Sequence, residues 1–423
     1  VVLDRNCYTT RRYMKAIWAV TPENRPYGDN NAVQYERSLT MKKTISMIMA
    51  VVMLVLLLAG CSSGSKSTAA EDKIYIACGA PFTGDDAQYG NFFKKALDMK
   101  MNQINETGGI NGKMIQIDYF DDKSTPKEAS NIAQKVTSDS KYIAEIGSYN
   151  STCVLAGAPI YQEAGMVQMA PTAGHPDITK ANDHLFRLQN SNDVEYTWLA
   201  NVAVNKIGAK KIAIVHLEND SGIVLSQILN EQIPKLGGEV VLTESYIQGQ
   251  VSDFSSILTK LKAAQPELII CVTSYNEMGT MLQQAKQIDL GNVKWVSSGM
   301  IYSDDFLKLA GDAGEGVYSM TIFFADNPDD TIANFTKKYR ELYNNENPNY
   351  FATNAYEALA LIESALKNGA NDRESLYKEL LKIKEWNGET GYATFDDDRM
   401  VNRDMTVIKV ENGKWVVAPE NSK

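Results

Sequence analysis

Two short stretches carry side chains of the types that hold a small zwitterion. In the first, Ile146-Gly147-Ser148-Tyr149-Asn150-Ser151-Thr152-Cys153, hydroxyls and an amide stand where an apolar strand, Tyr142 to Ile146, should hand over to a helix, about Thr152 to Ala164. A helix N-terminus presents unpaired N–H groups and a partial positive charge, so this handover is suited to a carboxylate. In a doubly wound sheet such a loop lies at the carboxyl edge, where ligands bind. The stretch is followed by Pro171-Thr172-Ala173-Gly174. The second, Ser274-Tyr275-Asn276-Glu277-Met278-Gly279, follows the apolar strand Leu268 to Val272 and puts a carboxylate at the start of a helix. The helix dipole favours an acid there on its own account, which is the ordinary reading. The functional reading makes Glu277 the acceptor for a ligand ammonium while Ser151 and nearby N–H groups hold a carboxylate. Those are the two poles of an α-amino acid.

Other chemistry is sparse, and no enzyme is expected. The three histidines, His175, His184 and His216, fall in no nucleophile elbow, HExxH pair or zinc pattern. Gly79-Ala80-Pro81-Phe82-Thr83-Gly84 lacks the Gly-Lys-Ser/Thr ending of a phosphate loop, and Asp121-Asp122 reads as a solvated turn rather than a metal site. The cysteines show no metal spacing. Cys271 lies inside an apolar strand, and Cys78 and Cys153, near strand ends, are either bridged or two free thiols. Neither a cofactor nor a metal is expected.

The elements that must position these residues begin late. Residues 1–40 show no periodicity and scattered charge, and are read as a translated upstream extension. Met41-Lys42-Lys43 then starts afresh, followed by an apolar run from Ile45 to Leu58 and by Leu58-Ala59-Gly60-Cys61. Residues 41–60 read as a secretory signal, too short in its apolar run for a span of about 20 residues. Its end resembles the lipobox of bacterial lipoproteins, which makes Cys61 the lipidated residue, residues 61–72 the anchor and tether, and the protein extracytoplasmic and membrane-anchored. Residues 61–423 keep 34 of the 42 basic and 48 of the 52 acidic side chains, a net charge of −14. That acidity argues against nucleic acid as a partner.

From Lys73 the pattern alternates strand and helix, restarts after Leu185-Phe186-Arg187-Leu188, and ends in three helices and a strand-rich tail, Gly391 to Val417. Such alternation predicts α/β architecture with parallel sheets flanked by helices. Two similar blocks predict two lobes facing across a cleft, with residues 73–190 and 301–386 in lobe 1 and 191–300 and 387–423 in lobe 2.

Several short motifs fall in a telling order: Ala80-Pro81-Phe82-Thr83-Gly84, Ala87-Gln88-Tyr89-Gly90, Gly108-Gly109-Ile110-Asn111-Gly112-Lys113, Asp253-Phe254-Ser255, Asn276-Glu277-Met278-Gly279 and Gly311-Asp312-Ala313-Gly314-Glu315-Gly316. Together they resemble the leucine/isoleucine/valine-binding proteins, substrate-binding components of branched-chain amino acid ABC transporters, over roughly residues 73–420. The resemblance implies a type I periplasmic-binding-protein fold with a three-stranded hinge, a monomer that captures an amino acid by lobe closure, and delivery to permease subunits. It implies that Ser151 binds the ligand carboxylate, that the Thr172 carbonyl and Glu277 receive the ammonium, and that Tyr89 packs over the ligand side chain. The chain departs from the family at Gly174, where a threonine commonly donates to the carboxylate, and at Ser221, usually an aromatic wall. Ser124 and Asn150 stand where some members have a disulfide. Loss of the apolar wall points towards a larger or more polar amino acid. The alternative is a ligand-sensing receptor domain of the same fold for a different small solute.

Overall fold

Strand Leu268–Val272 is apolar and buried along its whole length, as a central parallel strand covered on both faces must be. The structure, a computed structural model, describes residues 73–422, and two sheets are built around strands of this kind. In the first, β1 (Lys73–Ala80), β2 (Met114–Asp121), β3 (Tyr142–Gly147), β4 (Val167–Ala170) and β5 (Leu185–Arg187) pair in the order β2-β1-β3-β4-β5, all parallel. The second repeats that plan. Its strands β6 (Lys211–Leu217), β7 (Glu239–Tyr246), β8 (Leu268–Val272), β9 (Lys294–Ser297) and β10 (Tyr318–Thr321) run β7-β6-β8-β9-β10, again parallel. A small antiparallel sheet comprises β11 (Glu385–Gly388), β12 (Gly391–Phe395) and β13 (Val401–Asn402). Strands β14 (Thr406–Glu411) and β15 (Lys414–Val417) extend the second sheet antiparallel from β10. Both large sheets therefore reverse their strand order between the first and third strands, which opens a crevice at the strand C-termini.

The helices that fill the connections are α1 (Ala87–Glu106), α2 (Pro126–Ser138), α3 (Ser151–Glu163), α4 (Ile178–Ala181), α5 (Asn192–Asn201), α6 (Asp220–Lys235), α7 (Ser255–Ala264), α8 (Tyr275–Ile288), α9 (Asp304–Ala310), α10 (Asp330–Leu342), α11 (Tyr350–Lys367) and α12 (Arg373–Leu381). Several start on side-chain caps: Thr125, Asn150, Asn219, Ser274, Ser303, Asp329, Asn349 and Asp372 each accept a first-turn N–H. The chain crosses between the large sheets three times, after β5, after β10 and before β14. Asn190 ties the first crossing to the third, donating to the Arg403 carbonyl at 2.8 Å and accepting its N–H at 3.0 Å.

The expected lobe boundaries move. Residues from 301 do not return at once to the first lobe, because α9 packs on α8 and β10 pairs with β9 and β14; the return comes after Thr321. Nor does the second lobe resume at 387. The Glu357 carboxylate of α11 accepts from Trp386 and Thr390, and the Arg187 N–H donates to the Arg399 carbonyl, which holds β11–β13 to the first lobe. Helix α5, which the sequence reading left unassigned, packs on α6 in the second lobe. Cys78, Cys153 and Cys271 are buried and unbridged, so no Cys78–Cys153 bond forms. The expected extension, signal, Cys61 and tether all lie outside the described residues.

Candidate functional site

The Ser-Tyr-Asn-Ser-Thr run ends β3 and opens α3, and Asn150 caps the helix by accepting the Cys153 N–H at 2.9 Å. The cap leaves the N–H groups of Ser151 and Thr152 with no partner inside the helix. They border a cavity of about 290 Å³ between the carboxyl edges of the two sheets, lined by Ser151, Thr172 and Gly174 from the first lobe and Ser221, Gly222 and Gln248 from the second, among others. Ser151 is almost fully buried, and its Oγ accepts the His175 N–H at 3.1 Å, which fastens the 171–176 loop beside the helix end. Thr172 donates its hydroxyl to the Tyr149 carbonyl at 2.8 Å. Gly222 lies so near the end of β6 that a β-carbon would stand 1.9 Å from the Leu217 carbonyl oxygen, so only glycine lets α6 approach the cavity this closely.

The lobes meet across the cleft. Ser221 Oγ donates to Ser151 Oγ at 3.5 Å, Thr152 Oγ1 donates to Asp220 at 3.0 Å, and Gln248 donates to Asp86 at 2.7 Å. The structure therefore has its two lobes in contact around the cavity.

Two of the six expected ligand-binding residues stand away from the cavity. Tyr89 is fully buried and stacks at 4.3 Å, nearly parallel, behind Tyr149, and Tyr149 is the ring that lines the cavity. Glu277 is not among the lining residues, and its carboxylate is taken up locally. It accepts from Thr273 at 2.8 Å, Tyr246 at 3.1 Å, Ser274 at 3.2 Å and the Gly249 N–H at 3.0 Å. Tyr246 and Thr273 also share a hydrogen bond, so up to three of these donors reach the carboxylate at once, and they tie it to its own lobe. It instead fixes the 246–249 loop, from which Ile247 and Gln248 reach the cavity.

Three acids that the sequence reading passed over line the cavity: Asp86, Glu195 and Glu218. Asp86 accepts from Ser124 and Gln248, both at 2.7 Å, and Glu195 accepts from Gln189 at 3.0 Å. Burial raises the Asp86 carboxyl above its ordinary range and pushes Glu195 up to about 7. Helix α5, which carries Glu195, had a legible signal. Ser191 precedes Tyr196, Leu199, Ala200, Ala203 and Val204, a cap followed by apolar residues at helical spacing. Asn192, from the same helix, explains Gly174, since its Oδ1 stands 2.0 Å from where a Gly174 β-carbon would be. A threonine at 174 would collide with that amide.

Glu195 makes ligand-free stability fall with pH. Its folded pKa lies above the ordinary 4.5, so the stability from its protonated form is complete below about pH 4.5 and is lost as pH rises through about 7. A rise of that size corresponds to roughly 3 kcal/mol. Glu195→Gln should raise the melting temperature of ligand-stripped protein by roughly 5 °C at pH 8 and by about 1 °C or less at pH 4.5. Thermal melts at the two pH values check this; an equal difference at both would contradict it.

The sequence profile described as "Periplasmic binding protein" matches residues 73–414. The leucine-, isoleucine-, valine-, threonine- and alanine-binding protein of Pseudomonas aeruginosa is 27% identical over 345 residues, which cover 80% of this chain and 90% of that protein. Among solved structures, the branched-chain amino acid transporter substrate-binding protein LivJ of Streptococcus pneumoniae, in complex with isoleucine, superposes with a TM-score of 0.76 at 27% identity. The match covers 81% of this chain and 97% of that one. A solute-binding protein of an ABC transporter from Rhodopseudomonas palustris, in complex with 3,4-dihydroxybenzoic acid, has the same fold, with a TM-score of 0.75 at 24% identity over 82% of this chain and 95% of that one. The chain belongs to the periplasmic binding protein family, as its resemblance to the leucine/isoleucine/valine-binding proteins implied.

Proposed function

We propose that this protein is the extracytoplasmic solute-binding component of an ABC importer, and that it captures an amino acid between its lobes and delivers it to permease subunits. The observation that carries this reading is the polarity of the cavity. One wall offers the Ser151 hydroxyl and the N-terminus of α3, and the others offer buried carboxylates with no lysine, arginine or histidine among the lining residues. The first suits a ligand carboxylate and the second a ligand ammonium. The names of the relatives support the same class of solute. Capture works by population shift: a ligand that touches both lobes binds the closed arrangement better and favours it. Ser151, Thr172, Gly174 and Ser221 keep the binding roles expected of them in this reading, while Tyr89 and Glu277 support the residues that touch the ligand. Cys61 is the lipid anchor, and the protein acts as a monomer.

A thermal-shift screen of ligand-stripped protein against the twenty amino acids, benzoate and 3,4-dihydroxybenzoate tests this, because a ligand bound only to the folded state raises the melting temperature. At a hundredfold excess over Kd the gain is about 2.7 kcal/mol. The reading expects a shift with an amino acid and none with the benzoates, which bring no ammonium to the buried acids. A shift with the benzoates alone would sink it.

A further inference from the structure

The cavity holds more buried carboxyl groups than a neutral amino acid can pair with cations. Asp86 is 7% and Glu195 8% exposed, and neither forms an ion pair among the described residues. Each accepts hydrogen bonds only from neutral groups, Asp86 from Ser124 and Gln248 and Glu195 from Gln189. Glu218 adds a third carboxylate at the exposed rim. Buried charges are costly unless paired, and removing one partner of a buried pair leaves the other uncompensated. Two nearly buried acids on opposite lobes, Asp86 beside α1 and Glu195 on α5, give the ligand two places where a cation holds a carboxyl ionised. Among the described residues no three acidic, histidine or cysteine side chains come together as a metal site.

The opposite pole is also furnished. Asn192 is 5% exposed and lines the cavity, and its Nδ2 has no hydrogen-bond partner. Together with the Ser151 hydroxyl it gives the site a second neutral donor for a carboxylate, while the Oδ1 of the same amide fills the space over Gly174. One carboxylate end and two cationic ends define a particular class of molecule.

Resting on the amino-acid reading above, we propose that the ligand is a dibasic amino acid, with its α-ammonium and a side-chain ammonium or guanidinium each facing one of Asp86 and Glu195. Leucine leaves one of these carboxylates buried without a cation, and glutamate adds a third negative charge beside them. Glu218 at the rim and the net acidity of the chain favour approach of a cation over that of an anion. The small Ser221, across the cleft from Ser151, keeps the second lobe from closing the cavity with a ring.

Titration calorimetry of the full chain, stripped of ligand, against arginine, lysine, ornithine, leucine, glutamate and benzoate tests the proposal. At least one of the three dibasic amino acids should bind about a hundredfold or more tighter than leucine. Glu195→Gln and Asp86→Asn should each reduce that preference by about tenfold or more, read as the ratio of the two affinities. Binding of leucine at least as tight as that of all three dibasic amino acids overturns the dibasic assignment and leaves the amino-acid reading standing. An undiminished preference in both variants also overturns it, since the cations would then be held elsewhere. Binding of benzoate with no amino acid overturns the amino-acid reading itself. The wild-type panel does not depend on either variant folding.

Discussion

Ser151→Ala should lower the affinity for the amino acid proposed as ligand by about 10- to 150-fold, the equivalent of a hydrogen bond to a charged group worth about 1.5–3 kcal/mol. Ser151 is the first residue of α3, is almost fully buried, and places its hydroxyl between the His175 N–H at 3.1 Å and Ser221 Oγ at 3.5 Å. Its loss removes a donor from the carboxylate pole and an acceptor from the 171–176 loop. The helix itself should persist, because its cap is Asn150 and not Ser151. Calorimetry with the tightest-binding amino acid measures the change, and circular dichroism confirms the fold. An affinity within twofold of wild type would place the carboxylate elsewhere.

Glu357→Ala should cost about 3–5 kcal/mol of folding stability without entering the cavity. The carboxylate is fully buried on α11, where it accepts from the Thr390 N–H at 2.9 Å, the Thr390 hydroxyl at 2.6 Å and the Trp386 indole N–H at 2.5 Å. Its charge also supports the buried Arg403, whose guanidinium is pulled below its ordinary value by burial and raised by Glu357. Alanine leaves those donors unpaired and removes the charge near Arg403, whereas glutamine keeps the shape and an acceptor. Urea unfolding of both variants checks the order, with Ala well below Gln. A loss under about 1 kcal/mol for the alanine variant would show that water replaces the carboxylate.

The parallel sheets were legible because their strands are short apolar runs between helical patterns, such as Leu268–Val272. The handover at Ser151 was legible for the same reason, since a cap residue after a buried strand marks one place in the chain. Glu277 was legible only as an acid in a first turn. Its partners Tyr246 and Gly249 come from a different connection, and nothing in their sequence spacing announces the contact. Tyr89 was read as a ligand-facing ring, but the backbone places Tyr149 in front of it. The late return to the first lobe escaped because β10 has only four residues, Tyr-Ser-Met-Thr, and it is a strand by virtue of pairing with β9 and β14. Gly174 read as a lost donor, whereas the structure fills that space with Asn192 from the unassigned helix. A compensation between residues on separate elements has no local signature.

Capture by closure, the mechanism proposed above, requires the two lobes to move relative to one another. Small-angle X-ray scattering of ligand-stripped protein, before and after addition of an equimolar mixture of the twenty amino acids, measures that motion. The radius of gyration should fall on addition, as Asp86 meets Gln248 and Thr152 meets Asp220 across the cleft. An unchanged radius, under conditions where the same mixture raises the melting temperature, would contradict closure as the mechanism of capture.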